Sequence, residues 1–283
     1  MTISIAEAIL QGANKLRKAG VPEARREAGS LLAFLLDKDR TFMLSHAEDM
    51  ISAEQQTLYQ EFLDSRAQGE PAQYITGRQD FYGLEFEVTP AVLIPRPETE
   101  LLVETAVKLV GTEKNILFCD VGTGSGCIAI TLLKQLPLAQ ALAIDVSTEA
   151  LEVARRNAAR HRVTDRIEFV LSDCFESAEQ QLFDLIVSNP PYVADGAHAT
   201  LQREVRDFEP LVALTAGPDG LDVIRRLIRD ARGYLSTGGY LIFEIGFDQH
   251  ESVRALIDED LWELLDIQQD LQGIPRTVAL RKR

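Results

Sequence analysis

Cysteine is scarce in this sequence of 283 residues, which contains only Cys119, Cys127 and Cys174 and no Cys-x-x-Cys pair. An odd number of cysteines argues against a disulfide framework. No Cys/His spacing typical of a zinc site occurs either. Each cysteine lies beside apolar residues of an expected strand or helix, so we predict reduced, packed thiols in a cytoplasmic protein and no bound metal.

Long apolar runs are also missing. No stretch approaches the roughly 20 consecutive apolar residues that a membrane-spanning helix needs. The opening residues Met1-Thr2-Ile3-Ser4 lack the basic region and apolar core of a secretory signal peptide. We therefore expect a protein of the cytosol, without membrane contact.

Basic residues are outnumbered, since 29 Lys and Arg stand against 44 Asp and Glu and give a net charge of −15. Residues 1–75 alone carry eight Lys or Arg and eleven Asp or Glu. Such a balance argues against a large nucleic-acid footprint, so no direct nucleic-acid partner is expected. It suits a basic protein partner, although solubility accounts for the charge equally well.

Histidine is equally sparse, and the four residues His46, His161, His198 and His250 are scattered along the chain. They form no Ser/His/Asp constellation and no metal-ligand set. Chemistry that depends on a histidine base is therefore not indicated, and surface positions account for these residues.

Residues 1–70 predict a helical domain. Ser4-Ile5-Ala6-Glu7 and Ser52-Ala53-Glu54-Gln55 both have the pattern of a capping box, and apolar residues recur at helical spacing after each. A small bundle would bury these stripes. Because no ligand-like cluster occurs in it, the domain is interpreted either as a recognition module or as a structural lid.

The remainder of the chain changes pattern twice. Residues 71–97 predict a linker with a β-hairpin around Gly83, followed by a stiff stretch that contains Pro90, Pro95 and Pro97. In residues 98–283, helical and strand patterns alternate, which predicts an α/β domain with a mostly parallel sheet and ligands at the carboxyl strand ends. The expected strands are 116–121, 141–145, 167–171, 182–187, 240–245, 262–267 and 278–280.

A glycine-rich turn follows the first of these strands, in the segment Asp120-Val121-Gly122-Thr123-Gly124-Ser125-Gly126. Glycines let the backbone turn sharply into a helix and approach a ligand closely. The spacing is Gly-x-Gly-x-Gly, and Cys127 occupies the position of the last glycine in a dinucleotide-binding Gly-x-Gly-x-x-Gly. A nucleotide-like cofactor is therefore expected, with a nicotinamide or flavin disfavoured.

Acidic residues close the neighbouring strands. Asp145 lies 23 residues after Gly122, near the spacing at which a carboxylate meets the hydroxyl groups of a ribose. The alternative role for Asp145 is a helix N-cap, which Ser147 or Thr148 would fill equally well. Asp173 is expected near the adenine amino group with Cys174 beside the ring, and Asp120 near the ammonium group of the ligand.

The tetrapeptide Asn189-Pro190-Pro191-Tyr192 follows the fourth strand. The Asn189 side-chain oxygen and the Pro190 carbonyl would accept from the two N–H bonds of a planar amide or amine, with Pro191 stiffening the loop and Tyr192 stacking on the target. The alternative is a simple Asn-Pro turn. With the glycine turn, the tetrapeptide predicts a methyltransferase that uses S-adenosylmethionine and acts on a planar nitrogen, mainly by positioning and desolvation.

The chain resembles the release factor glutamine methyltransferases, also called HemK-like. The resemblance rests on the segments Glu70-Pro71-Ala72-Gln73-Tyr74-Ile75-Thr76-Gly77, Leu93-Ile94-Pro95-Arg96-Pro97-Glu98-Thr99-Glu100, Glu209-Pro210-Leu211 and Ala216-Gly217-Pro218-Asp219-Gly220-Leu221. It implies a Rossmann-like class I methyltransferase domain preceded by a helical domain that grips the substrate.

The resemblance also implies a substrate, the glutamine of the Gly-Gly-Gln motif in class I peptide chain release factors. Separately, we expect the protein to be a monomer. By matching position, Gly122 to Gly126, Asp145 and Asn189 would contact the cofactor, and Asn189 to Tyr192 the glutamine. Where the family often has an aromatic residue after the third-strand aspartate, this chain has Cys174.

Three alternatives stay open at this point. Asn-Pro-Pro-Tyr also serves methyltransferases that act on adenine or cytosine amines in DNA or RNA, although the acidity of this chain opposes that interpretation. A non-catalytic binding subunit with an inherited fold is the second alternative. A dehydrogenase is the third and fits least.

Overall fold

A computed structural model describes residues 2–177 and 181–283. The chain forms two compact units, and we call them the helical unit and the sheet unit. The helical unit comprises Met1–Arg78 together with Gln202–Phe208, and the sheet unit comprises Gln79–Leu201 and Glu209–Arg283. Helices and strands are numbered in chain order, α1–α11 and β1–β11.

The helical unit is a bundle with a short strand pair at its start. Its helices are α1 (Ile5–Lys18), α2 (Ala24–Leu36), α3 (Arg40–Ser45), α4 (Ala53–Gln68) and α5 (Ala72–Thr76). Both expected capping boxes are present, Ser4 with Glu7 at α1 and Ser52 with Gln55 at α4. Strand β1 (Ile3–Ser4) pairs antiparallel with β2 (Met50–Ile51).

The helical unit also takes in a segment from much later in the chain. Helix α9 (Arg203–Phe208) belongs to it, and the Glu204 carboxylate accepts a hydrogen bond from the Arg66 guanidinium at 2.7 Å. Arg66 also pairs with Glu27 and is itself buried. Sequence patterns place residues 202–208 with the second domain, because a six-residue helix carries no signal of which core it joins.

The sheet unit is built on seven strands in the order β10-β11-β9-β8-β5-β6-β7. Strands β5 to β9 run parallel, and β10 and β11 complete the sheet in antiparallel register. Their bounds are β5 (Leu117–Val121), β6 (Gln140–Asp145), β7 (Ile167–Leu171), β8 (Phe183–Ser188), β9 (Leu235–Glu244), β10 (Trp262–Gln269) and β11 (Pro275–Lys282).

Helices cover both faces of this sheet. They are α6 (Glu100–Val110), α7 (Cys127–Gln135), α8 (Thr148–Arg160), α10 (Asp222–Tyr234) and α11 (His250–Leu256). Successive residues of a strand point to opposite faces, so Phe118 joins one buried layer and Cys119 the other. The predicted α/β class is confirmed. No helix in the described ranges has the length and apolarity needed to cross a membrane.

The last strands are longer than the sequence indicates. Strand β9 begins at Leu235, directly after α10, instead of at residue 240. Gly238 (φ +77°) lies inside this early part, and the pairing with β8 shifts register between Phe183 and Leu185. The sequence of this irregular start predicts a loop, because glycine is unfavourable in regular strands.

The expected hairpin precedes the sheet in the form of β3 (Arg78–Phe81) and β4 (Leu84–Glu87). Its two turn residues, Tyr82 and Gly83, have φ of +53° and +72°, the signature of the tight turn that matches strand twist. Asn157 of α8 holds β4 by accepting from the Glu87 N–H and donating to the Glu87 carbonyl.

Strand order reverses between β5 and β8. From β5 the chain proceeds outward through β6 and β7, then returns to the other side of β5 with β8 and β9. In open α/β sheets the crevice beyond such a reversal, at the carboxyl ends of the strands, is where ligands bind. The loops after β5, β6, β7 and β8 all meet at this edge.

Candidate active site

A cavity of about 660 Å³ opens at this edge of the sheet unit. Its walls contain the glycine turn, the ends of β6 and β7, and the residues Asn189, Pro190 and Pro191. Residues within two further segments, Ala91–Pro95 and Leu211–Thr215, also line it, and Leu211 and Val212 of the second are exposed. The two loops that carry the expected cofactor and substrate chemistry therefore face one shared space.

The glycine turn is held by backbone hydrogen bonds to the neighbouring strand. The N–H groups of Gly122 and Thr123 both donate to the Ile144 carbonyl, at 2.9 and 3.0 Å. Gly126, with φ +81°, ends the turn where a Cβ would lie 2.9 Å from the Ile130 side chain. Glycine allows the positive φ at this position and the close approach of Ala154 of α8, 3.3 Å from where a Cβ would lie.

Asp145 lines the cavity and is nine-tenths buried. Its two oxygens accept from the backbone N–H groups of Gly124 (2.8 Å) and Ser147 (2.9 Å). Burial raises the pKa of this carboxyl, and these backbone hydrogen bonds oppose the rise. Helix α8 is capped by Ser147, whose hydroxyl accepts from the Ala150 N–H, so the N-cap alternative for Asp145 is not what the structure shows.

Asp120 lies behind the cavity wall and is fully buried. Its Oδ2 accepts from the Thr123 hydroxyl at 2.7 Å and from the Ala129 N–H at 3.2 Å. Its Oδ1 has no hydrogen-bond partner within the described part of the chain. Burial raises the pKa of Asp120 to about 7.

Asp173 and Cys174 both reach the cavity wall, but Asp173 has another partner. Its carboxylate is bound by both oxygens to the Arg226 guanidinium of α10, at 2.9 and 3.0 Å. Cys174 has φ +51°, and burial raises the pKa of its thiol to about 11, which keeps it neutral. The ring of Phe175 stacks on Tyr234 at 4.6 Å, away from the cavity wall.

Asn189 is fixed at the cavity by its amide nitrogen, which donates to the Thr99 hydroxyl oxygen at 3.1 Å. Its Oδ1 is buried and has no hydrogen-bond partner among the described residues. The preceding Ser188 ties the two strand ends together, because its hydroxyl donates to the Val121 carbonyl at 2.7 Å. The asparagine therefore presents an unused acceptor beside the glycine turn.

Tyr192 lies further from the cavity than the sequence pattern indicates. Its ring packs against the second buried layer, and its hydroxyl donates to Glu244 Oε1 at 3.3 Å. Burial and the nearby Glu244 carboxylate raise the pKa of Tyr192. The backbone carbonyl of Tyr192 accepts from the Gln249 side-chain amide at 2.9 Å, which anchors the end of the tetrapeptide.

The sequence reasoning identifies neither Thr99, which lines the cavity, nor Glu244, which accepts from the Thr99 hydroxyl at 2.6 Å. Glu244 ends β9, is 1% exposed, and has its pKa raised by burial to about 7. Thr99 belongs to the stretch used for the family resemblance, where it was not given a role. The sequence does contain a signal for Glu244: like Asp145, it is an acidic residue at the carboxyl end of a strand.

A second ion pair joins the two outer segments of the cavity. Glu209, buried before Leu211, accepts from the Arg96 guanidinium at 2.5 Å and from the Ile94 N–H at 3.3 Å. The side chain of Glu209 thereby links the Ala91–Pro95 wall to the Leu211–Thr215 wall. Each segment overlaps one of the family motifs, at Leu93–Pro95 and at Leu211, yet only the fold reveals that Glu209 links them.

Family descriptions match both parts of the chain. Residues 7–77 match the PrmC N-terminal domain, and residues 97–207 match the methyltransferase small domain. In fold, a methyltransferase from Pyrococcus furiosus is similar with a TM-score of 0.54 at 18% identity, covering 71% of this chain and 90% of that one. The T. thermophilus 16S rRNA N2 G1207 methyltransferase, solved with AdoMet and guanosine, gives 0.53 at 18% identity, covering 73% and 50%.

Fold and family descriptions together define a Rossmann-like methyltransferase. Relatives of higher sequence identity identify the family within this class. The release factor glutamine methyltransferase of Koribacter versatilis is 44% identical over 94% of both chains, and that of Geobacter sulfurreducens is 41% identical over 94% of this chain and 92% of its own. The chain belongs to the release factor glutamine methyltransferase family, and the predicted resemblance is confirmed.

Proposed function

We propose that this chain transfers a methyl group from S-adenosyl-L-methionine to the side-chain amide nitrogen of the Gly-Gly-Gln glutamine in class I peptide chain release factors. The reaction supports translation termination in the cytoplasm. The observation that carries this proposal is the buried, unpartnered Asn189 Oδ1 beside the cavity. A buried acceptor without a partner is costly, so a donor from a bound ligand is the natural complement.

The residues at the cavity fit the proposed cofactor, which when bound supplies an electrophilic methyl group on a positively charged sulfur. Each Asp145 oxygen uses one backbone N–H and retains acceptor capacity for a ribose hydroxyl. The unpartnered Asp120 Oδ1 suits the ammonium group, directly or through water. We assign Gly122, Thr123, Gly124, Ser125 and Gly126 to the close approach of the backbone, and Asp173 with Cys174 to the adenine.

The substrate amide poses a specific chemical problem, because its nitrogen lone pair is delocalised into the carbonyl. Two acceptors directed at its two N–H bonds hold the nitrogen and favour a pyramidal geometry. Asn189 Oδ1 and the Pro190 carbonyl are these acceptors, and Pro191 stiffens the loop. The apolar walls exclude water, so catalysis consists of positioning and desolvation. No strong base is needed, because the amide is a strong acid once its nitrogen carries the methyl group, and its extra proton passes to solvent on product release. Stacking of Tyr192 on the glutamine stays a prediction.

Protein recognition is assigned to surfaces outside the reacting centre. The exposed Leu211 and Val212 offer apolar contact at the cavity mouth. We infer that the helical domain of residues 1–70 contributes further contacts to the release factor, and that residues 71–97 connect it to the catalytic domain of residues 98–283. The enzyme acts as a monomer on protein and not on nucleic acid.

Mass spectrometry tests this function directly. A purified release factor is incubated with the protein and labelled S-adenosylmethionine, with DNA and RNA as parallel substrates. The expected result is one added methyl on the Gly-Gly-Gln glutamine and no label in nucleic acid. Label in nucleic acid alone would overturn the substrate, and label in none of them would overturn the activity.

Asn189→Ala provides the corresponding variant. We expect turnover to fall by at least about 100-fold, because both the acceptor and its orientation are lost. Asn115→Ala is the matched control, since Asn115 is exposed on the approach to β5. Circular dichroism checks that both variants fold. Near-normal turnover by folded Asn189→Ala would contradict the assigned role.

A further inference from the structure

A chain of buried hydrogen bonds leads from Asn189 away from the cavity. The Asn189 amide nitrogen donates to Thr99 Oγ1 at 3.1 Å, and the Thr99 hydroxyl donates to Glu244 Oε2 at 2.6 Å. Thr99 is 2% exposed and Glu244 is 1% exposed. Solvent therefore cannot substitute for either partner, and the side chains must satisfy one another.

The direction of this chain is fixed by proton count. A hydroxyl has a single proton, and an ionised carboxylate only accepts hydrogen bonds. The Thr99 proton is therefore committed to Glu244, which leaves the Thr99 oxygen as an acceptor for the Asn189 NH2 group. The reversed amide would place its oxygen against an oxygen that has no proton to give. Asn189 is thus held with its NH2 toward Thr99 and its Oδ1 away from it.

We propose that Thr99 and Glu244 are positioning residues that keep Asn189 in the orientation in which its oxygen accepts from the substrate amide. This inference rests on the proposed function, because it explains how the acceptor of that reaction is aimed. Neither residue touches the substrate in this scheme. Tyr192, whose hydroxyl donates to the second Glu244 oxygen, belongs to the same network.

Protonation of Glu244 reverses the chain. A protonated carboxyl donates to Thr99 Oγ1, and the Thr99 proton then becomes available to the Asn189 oxygen. Rotation of the Asn189 amide then becomes favourable, because its oxygen can accept from Thr99. In the rotated state the Asn189 NH2 group faces the NH2 group of the substrate amide, so that two donors oppose each other. The acceptor that the reaction needs is lost in that state.

The surroundings of Glu244 place this reversal near neutral pH. Burial raises its pKa to about 7. Thr99 and Tyr192 lower it by hydrogen bonding, Arg276 of β11 lowers it by its charge, and Glu98 raises it. The Cys127 thiol of α7, with a pKa raised to about 12, remains neutral and adds no charge. We therefore expect kcat to fall as the pH drops below about 7.

Thr99→Val and Thr99→Ser form the first matched pair. Valine keeps the shape and removes the hydroxyl, whereas serine keeps the hydroxyl. We expect Thr99→Val to lower kcat by about 10- to 100-fold with little change in KM for the release factor, and Thr99→Ser to restore most of it. Equal kcat in Thr99→Val and wild type would overturn the proposal, as would a failure of serine to rescue a folded valine variant.

Glu244→Gln supplies the second test and does not depend on the valine variant folding. Its amide oxygen accepts from Thr99 and does not titrate, so the loss of kcat on the acid side should disappear. The measurement uses saturating S-adenosylmethionine, because the pKa of Asp120 at the cofactor site is also raised to about 7. An unchanged acid limb in Glu244→Gln would overturn the role of Glu244. Wild-type protein that fails to methylate the release factor at all would instead contradict the proposed function.

The Asn189 side chain can also be followed without turnover or cofactor. The sequence contains four asparagines, so selective 15N labelling gives four side-chain amide signals, and Asn189→Asp identifies one of them. We expect that signal to shift with pH near 7 in the wild type and to stay constant in Glu244→Gln. A shift that persists in Glu244→Gln would contradict the coupling.

Discussion

The Asp145 carboxylate at the cavity is held by hydrogen bonds from the backbone. Asp145 is oriented by the Gly124 and Ser147 N–H groups before any ligand arrives, so little ordering cost remains for binding. We expect Asp145→Ala to weaken S-adenosylmethionine binding by about 1–3 kcal/mol, the range for a lost charge-assisted hydrogen bond. Isothermal calorimetry on the protein without substrate measures this difference.

The matched comparison for Asp145 is Asp173, which also ends a strand at the cavity. Because Asp173 is half exposed and already paired with Arg226, its removal should cost less affinity than the removal of Asp145. Equal losses of S-adenosylmethionine affinity in the two variants would show that Asp173 contributes as much to binding as Asp145. Unchanged affinity in Asp145→Ala would remove Asp145 from the cofactor site.

At the level of elements, the hairpin β3–β4 depends on a turn that only glycine makes without strain. Gly83 has φ +72°, and a Cβ placed there would meet nothing within 4 Å, so the cost of Gly83→Ala is backbone strain alone. We expect a loss of about 1 kcal/mol in the free energy of unfolding, measured by chemical denaturation.

Gly233→Ala is the control for that prediction. Gly233 lies within α10, has open space around its Cβ position and lacks a positive φ. The same substitution should therefore stabilise the protein by about 0.5–1 kcal/mol, because alanine favours helices. Opposite signs at the two positions would confirm that conformation decides the effect, whereas destabilisation at both would contradict it.

The sequence predicts those helices, strands and turns whose residues form a strong local pattern. The strands at β5 to β8 follow from continuous apolar runs, and the Asp120–Gly126 turn follows from its glycines. The Thr99–Glu244–Asn189 chain could not be predicted, because its members are widely separated in sequence and meet only through the strand order β9-β8-β5. Asp173 was expected to contact adenine, but pattern alone gives no indication of its partner Arg226 on a later helix.

At the scale of the whole molecule, Asp120 (0% exposed) and Glu244 (1% exposed) are the most deeply buried acids in the described part of a chain that carries a net charge of −15. Asp120 and Glu244 both have folded-state pKa values raised to about 7, from ordinary values near 4. A raised folded pKa means that the folded state binds the proton more tightly than the unfolded state. Each acid therefore contributes stability that is complete below about pH 4 and is lost as the pH rises to about 7.

This linkage predicts how the free energy of unfolding responds to pH. Between about pH 4 and pH 7, the titration of each acid should lower the free energy of unfolding of the wild type by roughly 3 kcal/mol. This contribution should be absent from Asp120→Asn and from Glu244→Gln, respectively. Denaturant titrations of the cofactor-free protein at several pH values measure the difference. Comparison with wild type is essential, because acids with lowered pKa values, such as Asp219 and Asp270, add stability to the folded protein as the pH rises. Parallel pH profiles for both variants and the wild type would show that neither buried acid is protonated in the folded state near neutrality.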